Sequence, residues 1–144
     1  MSTGDRPELG VGIFKETLAA GEMIEGTYEG ARVLLARVGD DFFAVGGECT
    51  HYGAPLCEGL LRGTTVLCPW HHARFDVVSG RVKSPPALSP LQGYRVIVEE
   101  DRVRVVGPVA QSRDSRRPAR SPDSVVIVGA GAAGAVAAET LRDE

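Results

Sequence analysis

A chain of 144 residues, 43% hydrophobic and 24% charged, is long enough for one domain with a buried core and at most a fragment of a second. The formal net charge of −3 gives no basis for binding nucleic acid or an anionic membrane. Three cysteines do not make a fully paired disulfide framework, so we expect a reducing compartment, the cytoplasm, and a metal or redox role.

Short strands separated by turn residues dominate the first two thirds of the chain. Residues 32–38 and 41–45 flank Gly39-Asp40, a pair typical of a hairpin turn, and residues 94–98 and 102–106 form a second predicted hairpin. Shorter strands are predicted at residues 11–15, 24–29, 66–68, 74–76 and 81–83. Closely spaced short strands of this kind predict an all-β fold, a small antiparallel sandwich or barrel.

Two pairs of metal-binding residues interrupt the strands. Cys49 and His51 form a Cys-x-His pair, and after sixteen intervening residues Cys68 and His71 form a Cys-x-x-His pair. Thiolates suit one iron and neutral imidazoles can serve another, which is the ligand set of a [2Fe–2S] centre in which two histidines replace two cysteines. The alternative is a structural zinc site, although those usually pair cysteine with cysteine and histidine with histidine. We expect the two pairs on separate hairpin loops that meet at their tips.

With Gly-Ala-Pro-Leu at residues 53–56 and Trp70 before the last histidine, this region resembles a Rieske iron–sulfur domain. Arg-Phe-Asp at residues 74–76 and Ser-Gly at residues 79–80 match the family as well. The resemblance covers about residues 11–107 and implies a small antiparallel Rieske-type sandwich that carries the cluster-binding loops.

The resemblance also implies the ligand assignment: Cys49 and Cys68 hold one iron, and His51 and His71 hold the other. Rieske proteins of respiratory complexes carry an additional cysteine in each loop, and the two form a disulfide. Here those positions are Ala54 and Trp70, so the chain is similar to the disulfide-free, ferredoxin-type branch.

Two further residues of the region need an interpretation. His72 follows His71 where family members commonly have glycine, and we favour His71 as the ligand on the Cys-x-x-His spacing. Cys57, the third cysteine, is interpreted as a small buried thiol that fills space, because the set of four ligands is already complete.

The C-terminal part of the chain changes character twice. Residues 108–124, rich in proline, serine and arginine, are predicted to be a flexible linker. Residues 125–128 are β-branched, as in a buried parallel strand, and Gly129, Gly131 and Gly134 then form the Gly-x-Gly-x-x-Gly fingerprint of dinucleotide-binding folds before an alanine-rich helix. This segment resembles the opening of the FAD-binding domain of pyridine-nucleotide-dependent flavoproteins.

The acidic residue that would contact the ribose lies about 20 residues beyond that motif, and the sequence stops at Glu144. We therefore interpret residues 125–144 as one incomplete βα unit that binds neither FAD nor NAD by itself. The predicted organisation is a Rieske domain at residues 9–107, the linker, and the truncated start of an FAD-binding domain.

This order of segments resembles the N-terminal part of apoptosis-inducing-factor-like and ferredoxin-reductase-like flavoproteins. The resemblance implies one-electron transfer through a Rieske cluster that serves as the N-terminal module of an NAD(P)H-dependent oxidoreductase, with FAD present only in a longer parent protein. The donor would be a flavin domain or a redox protein, and the acceptor is not identified. The alternatives are a stand-alone Rieske ferredoxin that serves an oxygenase or reductase, and a zinc-stabilised interaction domain.

Overall fold

The computed structural model describes residues 6–110, 125–129 and 131–142, and the chain falls into two units, residues 1–111 and 112–144. The first unit contains ten strands among its described residues: β1 (Ile13–Phe14), β2 (Met23–Tyr28), β3 (Ala31–Val38), β4 (Asp41–Gly46), β5 (Leu60–Arg62), β6 (Thr65–Leu67), β7 (Arg74–Asp76), β8 (Val82–Ser84), β9 (Gly93–Glu99) and β10 (Arg102–Pro108). They form a six-stranded sheet, in the order β1-β10-β9-β4-β3-β2, and a four-stranded sheet, β5-β6-β7-β8. The pairs formed by these ten strands are all antiparallel, and the predicted all-β fold is confirmed.

The two predicted hairpins form the centre of the six-stranded sheet. Gly39, at the turn between β3 and β4, has a φ of +62°, a conformation that glycine adopts without steric cost. In the β9–β10 hairpin Val98 pairs with Val103 and Val96 with Val105. Apolar side chains therefore face each other across this hairpin, as the alternation in the sequence predicts.

Strand β3 is covered on both of its faces. Val33 and Leu35 belong to one buried apolar cluster, whereas Leu34 and Ala36 belong to a second cluster that includes Phe75 of the four-stranded sheet. A continuous apolar run, rather than an alternating one, is what a strand needs when neither face meets water. The larger sheet therefore has a core of its own and also supports the smaller sheet.

The segment of residues 7–9 closes the six-stranded sheet into a barrel. The Leu9 amide donates to the carbonyl of Thr27 in β2, and the Thr27 amide donates to the Pro7 carbonyl. On the other side, the Val105 amide of β10 donates to the Leu9 carbonyl over 2.9 Å. Gly26 permits this closure, because a Cβ atom there would lie 2.6 Å from both Leu9 Cγ and the Pro7 carbonyl oxygen.

The four-stranded sheet carries the predicted metal site and departs from the prediction in two ways. Strand β5 was not predicted, since its Leu-Leu-Arg sequence is too short to show an alternating pattern. Cys49 and His51 lie in a long connection from β4 to β5 that includes a 3₁₀ turn (Leu56–Glu58), whereas Cys68 and His71 lie in the β6–β7 hairpin. The expectation that both pairs occupy hairpin loops is therefore correct only for the second pair.

The second unit contains helix α1 (Ala132–Arg142), as predicted. The prediction of a strand at residues 125–128 is wrong: these residues are not assigned to a strand, and Val126 and Val128 are almost fully exposed. A β-branched run forms a stable strand only when neighbouring strands accept its hydrogen bonds, and no such neighbour occurs among the described residues of this unit. Most of the predicted linker, residues 111–124, lies outside the described part of the chain. No helix within the described residues is both long and apolar enough to cross a membrane.

Candidate metal centre

Two loops with the same closing hydrogen bond bring the four predicted ligands together. In the first loop the Cys49 amide donates to the Ala54 carbonyl over 2.9 Å, and in the second the Cys68 amide donates to the Ala73 carbonyl over 2.8 Å. Each loop thus begins with a buried cysteine and closes five residues later on a buried alanine. The two loops are structural counterparts, although their histidines occupy different positions along the chain.

The two thiols lie next to each other under the loops. Cys49 and Cys68 are both buried and both free, and the Cys68 thiol is within hydrogen-bonding reach of the Cys49 thiol. Burial raises the pKa of Cys49, and the neighbouring Cys68 raises it further, while the backbone amides of His51 and Tyr52 oppose this by donating to its sulfur. A positively charged metal is the group that would compensate two thiolates at this position.

The two imidazoles form a second pair, nearer to solvent. The ring centroids of His51 and His71 are 5.0 Å apart, and the rings are nearly perpendicular. His71 is exposed, whereas His51 is partly buried. Among the described residues, His51 Nδ1 is one of two buried side-chain polar atoms without a hydrogen-bond partner. A buried nitrogen without a partner costs free energy unless a proton donor or a metal satisfies it, so this atom has the character of an available ligand.

The fold therefore places cysteine beside cysteine and histidine beside histidine, although the sequence alternates them. Within the described residues, no three cysteine, histidine or acidic side chains are grouped closely enough to hold one ion. Two separate pairs suit a centre with two irons, in which one iron takes two thiolates and the other takes two imidazoles. The donor types and their arrangement fit a [2Fe–2S] cluster.

The geometry also distinguishes the histidine doublet. His71 turns its ring toward His51, whereas His72 has a φ of +60°, in the left-handed region that is costly for residues with a Cβ atom. Glycine would adopt this backbone conformation without steric cost. Cys57 is partly buried against the core in the 3₁₀ turn, and burial raises the pKa of its thiol.

Sequence reasoning did not single out Tyr52, which the structure places against both imidazoles. Its ring centroid lies 4.2 Å from that of His51 and 5.7 Å from that of His71. Trp70 also lies beside this pair, since its ring centroid is 6.5 Å from that of His71, and half of its surface is exposed. In the sequence, Tyr52 directly follows the proposed ligand His51, in a loop where an aromatic side chain cannot be buried in the core. This position is the signal from which its place beside the imidazoles could have been predicted.

In the second unit, two of the three predicted nucleotide-binding glycines have a geometric requirement for glycine. Gly129 has a φ of +112°, and a Cβ atom on Gly134 would lie 2.1 Å from the Gly129 carbonyl oxygen. A Cβ atom on Gly131 would meet no atom within 4 Å. The start of α1 therefore lies close to the backbone of Gly129. The fingerprint requires its third glycine for this kind of close packing.

Comparisons with known proteins agree with the site. Residues 11–95 match the family described as the Rieske [2Fe-2S] domain. Ferredoxin CarAc of Metapseudomonas resinovorans is 38% identical over 101 residues, covering 66% of this chain and 94% of the ferredoxin. The structure of the ferredoxin of carbazole 1,9a-dioxygenase from Nocardioides aromaticivorans IC177 superposes with a TM-score of 0.65 at 28% identity, covering 67% of this chain and 94% of that chain.

A second kind of relative matches more of the chain. Apoptosis-inducing factor 3 of Homo sapiens is 38% identical over 139 residues, which cover 88% of this chain but only 23% of that protein. The corresponding protein of Mus musculus is 37% identical over the same length. The chain thus spans about a quarter of the length of these two relatives.

Proposed function

The chain belongs to the Rieske [2Fe-2S] domain family, and from that premise we propose that it is the N-terminal redox module of an NAD(P)H-dependent flavoprotein oxidoreductase. Its function is electron transfer, and the cluster supplies a one-electron redox couple when bound. Cys49 and Cys68 would hold one iron, and His51 and His71 the other. The observation that carries this assignment is the pairing of thiol with thiol and imidazole with imidazole.

The thiol pair and the imidazole pair differ in their exposure to solvent. Burial of both cysteines keeps water from the thiolate side, and the amides of His51 and Tyr52 donate to the Cys49 sulfur, which stabilises negative charge there. On the other side His71 is exposed. This asymmetry supports electron exchange with a partner through the imidazole side, because a partner can approach there.

The flavoprotein part of the proposal rests on the C-terminal unit. A match that covers 88% of the chain extends well past residues 11–95, whereas the match to Ferredoxin CarAc covers 66%. The close approach of Gly134, in the first turn of α1, to the Gly129 carbonyl oxygen supports residues 125–144 as the start of an FAD-binding domain. FAD itself would require a longer protein, in which the flavin would be the electron donor to the Rieske domain at residues 9–107 across the linker at residues 108–124.

A stand-alone ferredoxin for an oxygenase or reductase is the second proposal, and the near-complete coverage of Ferredoxin CarAc supports it. The reading frame downstream of codon 144 separates the two. A continuing frame that encodes further strands and the acidic residue of the dinucleotide fold supports the flavoprotein module, whereas a stop codon there supports the ferredoxin. In either case we propose a cytoplasmic location, where free cysteines stay reduced.

The cluster and its ligands are tested together by substitution. Purified protein is expected to be red-brown and, when reduced with dithionite, to show the low average g value of mixed histidine and cysteine ligation. Cys68→Ala and His71→Ala should abolish this signal, while the matched variants Cys57→Ala and His72→Ala should keep it. Colourless protein with stoichiometric zinc after expression in ample iron would establish the zinc-stabilised alternative, and a normal signal in His71→Ala would overturn the ligand assignment.

A further inference from the structure

The two ligand loops are attached to the fold in different ways. The second ligand loop, residues 68–73, closes a hairpin whose strands β6 and β7 pair directly beside it. The first ligand loop, residues 49–57, is not a hairpin loop, and its ends are joined by an isolated bridge between Glu48 and Pro55. Strand pairing therefore fixes the second loop, whereas the first loop needs other contacts to hold its place on the barrel.

An ion pair at the start of the first loop supplies such a contact. Glu48, the residue before Cys49, accepts a hydrogen bond from Arg32 Nη1 over 2.6 Å. The same guanidinium contacts Glu25 of β2, through Nε over 2.9 Å and through Nη2 over 2.7 Å. Arg32 therefore joins two carboxylates, one on the barrel and one at the edge of the loop. Its planar, multiply donating head group suits this arrangement.

The barrel side of this link is itself well fixed. The Glu25 side chain is only 7% exposed. The Gly47 amide donates to the Arg32 carbonyl over 2.9 Å, and the Leu56 amide donates to the Gly47 carbonyl over 2.9 Å. The Arg32 backbone therefore reaches both ends of the loop through Gly47, while the Arg32 side chain holds Glu48.

We propose that Arg32 is a positioning residue for the iron–sulfur cluster, because it holds the first ligand loop, and with it Cys49 and His51, in place beside the second loop. Residues 49–57 contain no aspartate, glutamate, lysine or arginine, so the loop has no charged side chain of its own to make this attachment. The proposal rests on the proposed function, since it is as ligands that Cys49 and His51 need fixed positions. Contacts that support ligands from behind maintain the geometry of a metal site.

The first test measures the attachment by amide exchange with deuterium, in the protein as purified. Glu48→Gln removes the charge that pairs with Arg32 and leaves the covered Glu25 paired. The Glu48 side chain is 51% exposed, and an exposed ion pair adds little to global stability, so the variant should fold normally. Peptides that cover residues 47–57 should then exchange several-fold faster than in the unsubstituted protein, while peptides that cover residues 65–76 should exchange at the same rate.

Glu99→Gln is the matched control for this test. Glu99 is 62% exposed and pairs with Arg104 over 3.3 Å in the β9–β10 hairpin, so its substitution removes a similar ion pair from another part of the barrel. Exchange in both ligand loops should stay unchanged in this control. Equal acceleration of both loops in Glu48→Gln would indicate a general loss of stability and would overturn the proposal, and so would unchanged exchange in the first loop.

The second test follows the cluster itself by electron resonance of the dithionite-reduced protein. The first loop supplies one ligand to each iron, so a loosened loop should broaden the lines of Glu48→Gln and shift their g values. Arg32→Gln should have at least the same effect. Adding Glu48→Gln to Arg32→Gln should change the lines no further, because both substitutions break one contact. Additive changes in the double variant would show that the two residues act independently, and would overturn the proposal.

The two proposals fail in different ways. If the purified protein has no reducible [2Fe–2S] signal, the proposed function fails, and the exchange rates still decide whether Arg32 holds the first loop. If the signal is present but neither the exchange rates nor the resonance lines respond to Glu48→Gln, Arg32 is not a positioning residue and the proposed function stands.

Discussion

The barrel and the two ligand loops differ in how far their side chains are buried and paired. The barrel buries its apolar residues on both faces of β3, and its partly covered Glu25 carboxylate is paired with Arg6 and Arg32. The two ligand loops expose the rings of Tyr52 and Trp70 and leave a buried imidazole nitrogen of His51 without a partner. The well-packed barrel is the scaffold that positions the ligand loops, whose own groups remain available for the metal. Substitutions should therefore separate stability from cluster binding according to region.

The largest effect is expected at Gly59, where the first ligand loop passes the second. A Cβ atom there would lie 2.0 Å from the carbonyl oxygen of Leu67, the residue before Cys68. Because backbone cannot yield as a side chain can, Gly59→Ala should displace Cys68, destabilise the fold by about 3 kcal/mol and abolish most cluster incorporation. The iron content and visible absorbance of the purified protein, with a urea unfolding curve, measure both effects. Gly93→Ala is the control, since its Cβ atom would make only ordinary contact, and full cluster occupancy in Gly59→Ala would contradict the prediction.

A smaller effect, confined to stability, is expected from Gly26→Ala in the barrel. The added methyl group would overlap Leu9 and the Pro7 carbonyl, and so displace the segment that closes the barrel. Overpacking of this kind costs about 1–3 kcal/mol. Urea unfolding should show this loss, while the spectrum of the folded variant stays unchanged. A changed cluster spectrum would show that barrel closure and ligand geometry are coupled, and would contradict the expected separation of stability from cluster binding.

The stability of the four-stranded sheet is expected to depend on pH through Asp76, which lies in β7. Burial acts to raise its pKa, but hydrogen bonds from Ser79, Thr64 and Lys83 outweigh burial and hold the pKa of Asp76 below its usual value. The resulting stabilisation is present above the unfolded-state pKa and is lost as the pH falls through the folded-state pKa. Asp76→Asn should therefore cost about 1 kcal/mol at pH 7 and almost nothing near pH 2. Urea unfolding of both proteins at the two pH values measures this, and an equal cost at both would contradict it.

The smallest effect, and a favourable one, is expected at His72. Glycine would relieve the unfavourable left-handed conformation of residue 72, and this gain exceeds the entropic cost of ordering a glycine. His72→Gly should therefore stabilise the protein by about 0.5 kcal/mol. Glu29→Gly, at a barrel turn with a φ of +50°, should give a similar gain. Thermal unfolding measures both, and the cluster spectrum should not change in either. Loss of the cluster in His72→Gly would mean that the doublet was assigned to the wrong histidine.

Elements with a local signal were predictable from the sequence. The β3–β4 hairpin follows from Gly39-Asp40, and helix α1 follows from its alanine-rich composition. Strand β5 was not predicted, and the strand predicted at residues 125–128 does not form. Local sequence patterns are insufficient in both cases. A three-residue strand has no periodicity to detect, and a β-branched run forms a strand only if other strands lie beside it.

The sequence by itself selected the four residues that we propose as ligands, because the types and spacing of cysteine and histidine limit the metal chemistry. It also determined that residues 49–57 and 68–73 contain no aspartate, glutamate, lysine or arginine. Only the tertiary structure decided that the thiols pair with each other, that the imidazoles lie toward solvent beside Tyr52, and that residues 7–9 close the barrel. These are contacts between segments far apart in the chain, and their geometry depends on the packing of both sheets rather than on any local preference.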